Sequence, residues 1–164
     1  MINSRKLEDL DPEARAVCQE HIRLCRDVGI EIIVTSTWRD FEAQDALYAI
    51  GRTVEKERWA ITNAKGGKSW HNFKAAWDVV PVVSGKAVWN SKDPLWKEVI
   101  RLGKQAGAEA GSDWKSFPDV PLDLPHFQVV PKVSGLHITL DEALARFKDS
   151  GTIFMVHMLL ALHN

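Results

Sequence analysis

Two stretches of the chain bring together residue types that bind a metal and move a proton. One is Ser69-Trp70-His71-Asn72-Phe73-Lys74-Ala75-Ala76-Trp77-Asp78, and the other is Asp123-Leu124-Pro125-His126-Phe127. Asp78 is flanked by Trp77, Val79 and Val80. An ionised carboxylate in such an apolar run is costly unless a metal, an arginine or backbone amides satisfy it. His126 follows a proline that stiffens its link to Asp123, and it enters an apolar run of its own. Two neutral imidazoles and one carboxylate suit a catalytic zinc ion with one position left open. Water on such an ion ionises near a pH of about 7. A further carboxylate that is not a ligand can pass the proton to a leaving amine. Asp123 is the candidate for that task, ahead of Asp119, which stands seven rather than three residues before His126. Histidines and aspartates beside apolar strands also serve purely structural ends, and the spacing alone leaves both readings open.

The elements that must hold these residues are legible from caps and periodicity. Asp11 and Pro12 open a helix in which Ala14, Val17, Cys18, Ile22, Cys25 and Val28 recur on one face, and Gly29 closes it. The β-branched run Ile30 to Thr35 reads as a strand. Asp40 caps a second helix that runs to Ile50 and stops at Gly51. Residues 52–68 form a long polar loop before the first motif. Ala76 to Val83 and Lys86 to Trp89 read as a hairpin turned at Ser84-Gly85. Asp93-Pro94 opens a third helix with Leu95, Trp96, Val99, Leu102 and Ala106 on one side. A second irregular stretch, Gly111 to Leu124, leads into a short strand from His126 to Val130, and Thr139-Leu140-Asp141-Glu142 is a capping box for a last helix ended by Gly151. Short, hairpin-linked strands among helices predict an α+β fold: a small antiparallel sheet packed with helices around a single zinc site.

The chain has 164 residues, enough for one domain that folds without a disulfide or a structural metal. The expected division is a domain over residues 1–150 and an apolar C-terminal tail over residues 151–164. A net charge of -1 gives no field that would attract nucleic acid or an anionic membrane. Cys18 and Cys25 lie seven apart in the first helix, about 10 Å along its axis, which predicts buried, reduced thiols. Most of the seven tryptophans are expected in the core, with Trp70, Trp77 and Trp114 also placed to line a groove. His21 reads as a core histidine, His137 as an exposed one, and His157 and His163 as sharing no site. Lys65 and Lys68 read as solvating their loop. The N-terminus lacks the apolar segment of a leader, and Ile153 to Leu162 is too short to span a bilayer. The expectation is a monomer, and reduced thiols are compatible with synthesis in a cytoplasm.

The run Ser-x-His-x(6)-Asp, followed by Asp-x-x-His, resembles the D-alanyl-D-alanine carboxypeptidase-like zinc peptidases. The resemblance extends to Val34-Thr35-Ser36-Thr37-Trp38-Arg39, Gln44-Asp45-Ala46-Leu47-Tyr48, Thr62-Asn63-Ala64-Lys65-Gly66-Gly67 and Asp113-Trp114-Lys115-Ser116-Phe117. These look like the L-alanyl-D-glutamate endopeptidase branch found in phage endolysins, and the likeness covers residues 7 to 130. It implies that His71, Asp78 and His126 hold zinc and that Asp123 is the catalytic acid and base. Arg39 matches the motif arginine that binds substrate or steadies the oxyanion, Ser69 a positioning serine, and Gln44 a residue of the substrate groove. It implies bacterial peptidoglycan as the partner, with the L-alanyl-D-glutamate bond of the stem peptide cut. With no leader read at the N-terminus, this fits either a phage lysin made in the bacterial cytoplasm and released through a membrane lesion made by a partner, or a bacterial cytoplasmic recycling enzyme. Carboxypeptidase cleavage after D-alanine is the near alternative, and a non-catalytic cell-wall-binding module is the distant one. Lys74 departs from the family, which carries glycine there. The lysine is expected to strain the loop of His71 or to place a charge beside the metal. Ser112 also replaces a second glycine after Gly111.

Overall fold

The caps place the helices. In the computed structural model, which describes residues 1–114 and 123–150, α1 runs over Pro12–Asp27 and the Asp11 carboxylate accepts the Glu13 amide. α2 runs over Phe41–Ala49, and Asp40 accepts the Ala43 amide at 2.7 Å. α3 covers Leu95–Gln105 behind Asp93, which accepts the Leu95 amide. α4 covers Leu140–Ser150, and its capping box closes in both directions between Thr139 and Glu142. Asp119, His157, His163, Gly151 and the whole expected tail lie outside the described residues.

Strand β1 (Glu31–Ser36) pairs antiparallel with β2 (Ala76–Val83), and β2 pairs antiparallel with both β3 (Lys86–Ala87) and β5 (His126–Gln128). The two-residue strand β4 (Glu109–Ala110) completes the order β1-β2-β5-β4. A separate hairpin, β6 (Lys132–Val133) and β7 (Leu136–His137), follows. The fold is α+β, as the sequence predicts. Two strands are shorter than expected, ending at Ala87 and Gln128, and β4 and the β6–β7 hairpin were not anticipated. Each consists of two residues, too few for alternation to register.

Alternation along β2 and β5 gives the sheet two faces. Trp77, Val79 and Phe127 point into a core with Cys18, Cys25, Val99 and Leu102 from α1 and α3. Asp78 stands opposite His126 on the other face. The core is tight where α3 crosses β5: a Cβ on Gly103 would come within 2.3 Å of the Phe127 ring. Burial pushes the Cys18 thiol up to about 12 and Cys25 to about 11, so neither is a nucleophile at neutral pH. Between Val34 and Ser36, β1 has a register irregularity against β2, beside Asp78, and bulges of this kind re-aim side chains near sites.

Candidate metal centre

His71, Asp78 and His126 converge. His71 sits in a short 3-10 turn, Trp70–Phe73, whose cap Ser69 accepts the His71 amide at 3.4 Å. That turn is fixed from both sides: Asn72 donates to the Arg39 carbonyl and accepts from the Gly67 amide. Asp78 and His126 arrive as cross-strand neighbours. The His71 Nε2 lies 3.2 Å from Asp78 Oδ1, and the His126 Nδ1 lies 3.3 Å from the same oxygen. One ligand atom from each residue falls within 4.8 Å of the others.

The outer nitrogen of each imidazole is already committed. His71 Nδ1 is 2.6 Å from the Thr37 carbonyl, which only accepts, so Nδ1 carries the proton and Nε2 presents a lone pair. His126 Nε2 is 3.0 Å from Gln128 Oε1, and by the same reasoning Nδ1 presents a lone pair. Three acceptors therefore face one another and need a cation between them. A proton satisfies one pair, whereas a zinc ion satisfies all three. The donor set fits zinc.

The surrounding charges are arranged to match. Burial works to raise the Asp78 carboxyl. Where a proton stands in for the cation, the charge of His71 and hydrogen bonds from protonated His126 and His71 outweigh it and hold the carboxyl well below the usual carboxylate range. His126 is raised: burial opposes its charge, but the hydrogen bond and charge of Asp78, with Asp123 and Gln128, prevail. Arg39 lies with Nη2 3.6 Å from the second oxygen of Asp78, held by Ser36 and Gln44 at 2.9 Å each. It is 8% exposed, burial pulls its pKa down against Asp78 and Asp123, and its Nε has no partner among the described residues.

These groups open onto a cleft of about 470 Å³ lined by Arg39, Ser69, His71, Asp78, Asp123 and His126. Asp123 is exposed at this cleft. Its carboxyl is nonetheless shifted upward, by desolvation first and by Asp78 next among the raising causes, against His126, His71 and Arg39. Trp114 and Trp89 also line the cleft, 42% and 61% exposed, whereas Trp77 is wholly in the core.

Gln44 is not among the cleft-lining residues. It is fully buried behind Arg39, with its amide donating to the Ala64 carbonyl at 2.8 Å. The loop lysines do more than meet solvent: Lys68 pairs with Asp141 of α4, and Lys65 lies over the Tyr48 ring. Lys74 has φ 57 and ψ 19, the left-handed backbone that glycine adopts without cost. Its ammonium is 4.7 Å from the centre of the Trp38 ring, and Lys74 is not among the described residues that line the cleft where a charge beside the metal was expected. Ser112 has no such positive φ, while a Cβ on Gly111 would come within 2.7 Å of the Asp123 carbonyl. Only the first glycine of that pair is required. Gln128 and Glu109 were missed by sequence reasoning, although the i, i+2 spacing of His126 and Gln128 on a strand was the available signal.

Residues 62–129 match the family described as D-alanyl-D-alanine carboxypeptidase. The chain is 37% identical over 112 residues to the peptidoglycan L-alanyl-D-glutamate endopeptidase CwlK of Bacillus subtilis (strain 168), a match covering 63% of each chain. It therefore spans less than two thirds of that relative's length. Its fold is that of the Serratia marcescens L-Ala D-Glu endopeptidase ChiX, with a TM-score of 0.55 at 21% identity over 75% of this chain and 82% of that one. It is also that of the vancomycin-resistance D,D-pentapeptidase VanY in complex with Zn(II), with a TM-score of 0.54 at 18% identity over 87% of this chain and 80% of that one.

Proposed function

We propose that this chain, whose residues 62–129 are a D-alanyl-D-alanine carboxypeptidase-family segment, is a zinc peptidase acting on the stem peptides of bacterial peptidoglycan. The bond assigned is L-alanyl-D-glutamate, the specificity for which its 37% identical relative is named. The observation that carries the reading is the convergence of two imidazole nitrogens and a carboxylate oxygen on one point, beside the Asp123 carboxylate and one buried guanidinium.

His71, Asp78 and His126 would hold the ion. When bound, zinc supplies Lewis acidity for a carbonyl oxygen and makes a nearby water acidic. Asp123 takes the proton of the attacking water at its carboxylate and returns it to the leaving amine nitrogen. Its upward shift suits a group that must exist in both forms. Arg39 holds the outer oxygen of Asp78 and brings its positive charge to the cleft, where it would steady substrate oxygen or developing negative charge. Ser69 holds the His71 turn, and Gln44 holds Arg39, so both position rather than react. Residues 1–150 form the catalytic unit in this reading. The endolysin setting, with a monomer reaching the wall through a phage-made lesion, is supported by the motif resemblance. Among the described residues, no helix is long and apolar enough to cross a membrane.

Mass spectrometry of purified peptidoglycan digested with zinc-loaded protein, with an EDTA control, tests this. New EDTA-sensitive N-terminal glutamate is expected. Loss of terminal D-alanine would move the assignment to the carboxypeptidase reaction, and binding without product would favour the wall-binding module.

A further inference from the structure

Gln128 is an amide placed between a carboxylate and an imidazole, and the order of the three groups fixes its polarity. Glu109 and Gln128 face each other across the β4–β5 ladder, where directly opposed side chains meet. His126 and Gln128 are two apart on β5 and share a face. The Glu109 carboxylate accepts only, so Gln128 turns its NH2 group to it, with Nε2 3.1 Å from Oε2. Oε1, an acceptor only, is then left facing His126 Nε2 at 3.0 Å. A ring nitrogen facing an acceptor must carry the proton, which leaves the lone pair on Nδ1, the atom 3.3 Å from Asp78. An amide has nearly the same shape when turned round. Reversed, it would donate to Nε2, drive the proton onto Nδ1 and remove the electron pair that a metal needs.

We propose that Glu109, an exposed residue that does not line the cleft, is a positioning residue that sets the tautomer of His126 through Gln128 and thereby the affinity for zinc. The inference rests on the reading that His71, Asp78 and His126 hold the ion. A carboxylate outside the cleft, acting through Gln128 on the cleft wall, thus decides whether one ligand is available.

Zinc competition against a chromophoric chelator, on the full chain, tests this with wild type, Glu109→Gln and the double exchange Glu109→Gln/Gln128→Glu. The single variant frees the amide to turn, and affinity falls roughly tenfold or more, the range for outer partners of metal-bound histidines. The double exchange sets a carboxylate against His126 Nε2–H with an amide beyond it, and restores most of the affinity. In zinc-loaded protein, the His126 Nε2–H resonance in proton–nitrogen NMR exchanges slowly with water in wild type and in the double variant, and faster in the single variant. Unchanged affinity and exchange in Glu109→Gln would overturn the relay and leave the zinc reading standing. A loss that the double exchange does not restore would reduce Glu109 to an ordinary structural contact. Wild-type protein that takes up no zinc would sink the metal reading itself, and the relay with it.

Discussion

Two buried histidines lie on opposite sides of the same strand. His21, on α1, packs with its ring centroid 4.5 Å from that of Phe127 and is fully covered. His126, the residue before Phe127, is 5% exposed and turns to the other face. His21 Nε2 donates to the Val99 carbonyl at 3.0 Å, and its Nδ1 has no partner among the described residues. With nothing to hold a second proton, burial pulls it from 6.5 to about 4, against a small opposing effect of the Val99 bond. His126 is buried as well, but Asp78, Asp123 and Gln128 raise it. Burial alone makes a histidine a neutral packing residue. Burial beside carboxylates, with the far nitrogen committed, lets it hold a cation, whether a proton or, as proposed here, a metal ion.

The largest expected effect lies on the cleft side. Asp123→Asn keeps the shape and the ligands but cannot take a proton, so peptide release falls about a hundredfold to ten-thousandfold. Zinc content and melting temperature stay near wild type. Loss of zinc in that variant would place Asp123 among the ligands and blur the contrast.

The next effect belongs to the core side and appears in acid. As pH falls from 6.5, the unfolded chain binds a proton at His21 before the folded one does. The His21 contribution to stability is therefore full above 6.5 and is lost down to about 4, a cost of about 3 kcal/mol when complete. Denaturant titrations across that window check this, with His21→Leu as the control in which this part of the slope disappears. An unchanged slope would show that other groups govern the acid response.

A smaller effect comes from the contact that holds both histidines apart. Gly103→Ala drives a methyl against the Phe127 ring and near His21, costing about 1–3 kcal/mol by overpacking. Calorimetry should show the lower melting temperature, with zinc still bound by the folded protein. The smallest effect is that of Lys74→Gly. The glycine relieves a left-handed lysine, worth about 1–2 kcal/mol. It also frees the unfolded chain and loses the contact with Trp38, each costing about 0.5–1 kcal/mol. Stability should shift by about 1 kcal/mol or less, with zinc affinity unchanged. A gain in activity would mean that Lys74 disturbs the His71 turn after all.

The elements that carry the site were readable because their signals are local. Asp11, Asp40, Asp93 and the Thr139–Glu142 box each act within three residues of themselves: α1 and α2 start directly after Asp11 and Asp40, and α3 starts two residues after Asp93, which accepts the Leu95 amide. Strain at Lys74 was anticipated from the glycine that the family carries there, and the chain adopts φ 57, a left-handed backbone. Burial of Gln44 was not readable, since α2 is too weakly amphipathic to declare its inner face. Nor was the destination of the Lys74 side chain, because long cations choose partners across the surface. Trp77 and Trp114 stood equal as groove candidates beside their motifs. Alternation on β2 sends the first into the core, while the second lies against His126 with ring centroids 4.9 Å apart.

The residue types, their order and their local caps were set by the sequence itself: two imidazoles, two carboxylates, an arginine, and the strands and turns that carry them. These follow from short-range sterics and hydrogen bonding, which need no knowledge of the rest of the chain. Which nitrogen of each histidine faces inward was decided only in three dimensions. It depends on the Thr37 carbonyl and on Gln128, and Gln128 depends on Glu109 across a ladder that joins strands distant in sequence. A tautomer is a property of a ring's neighbours, and only the assembled sheet supplies them.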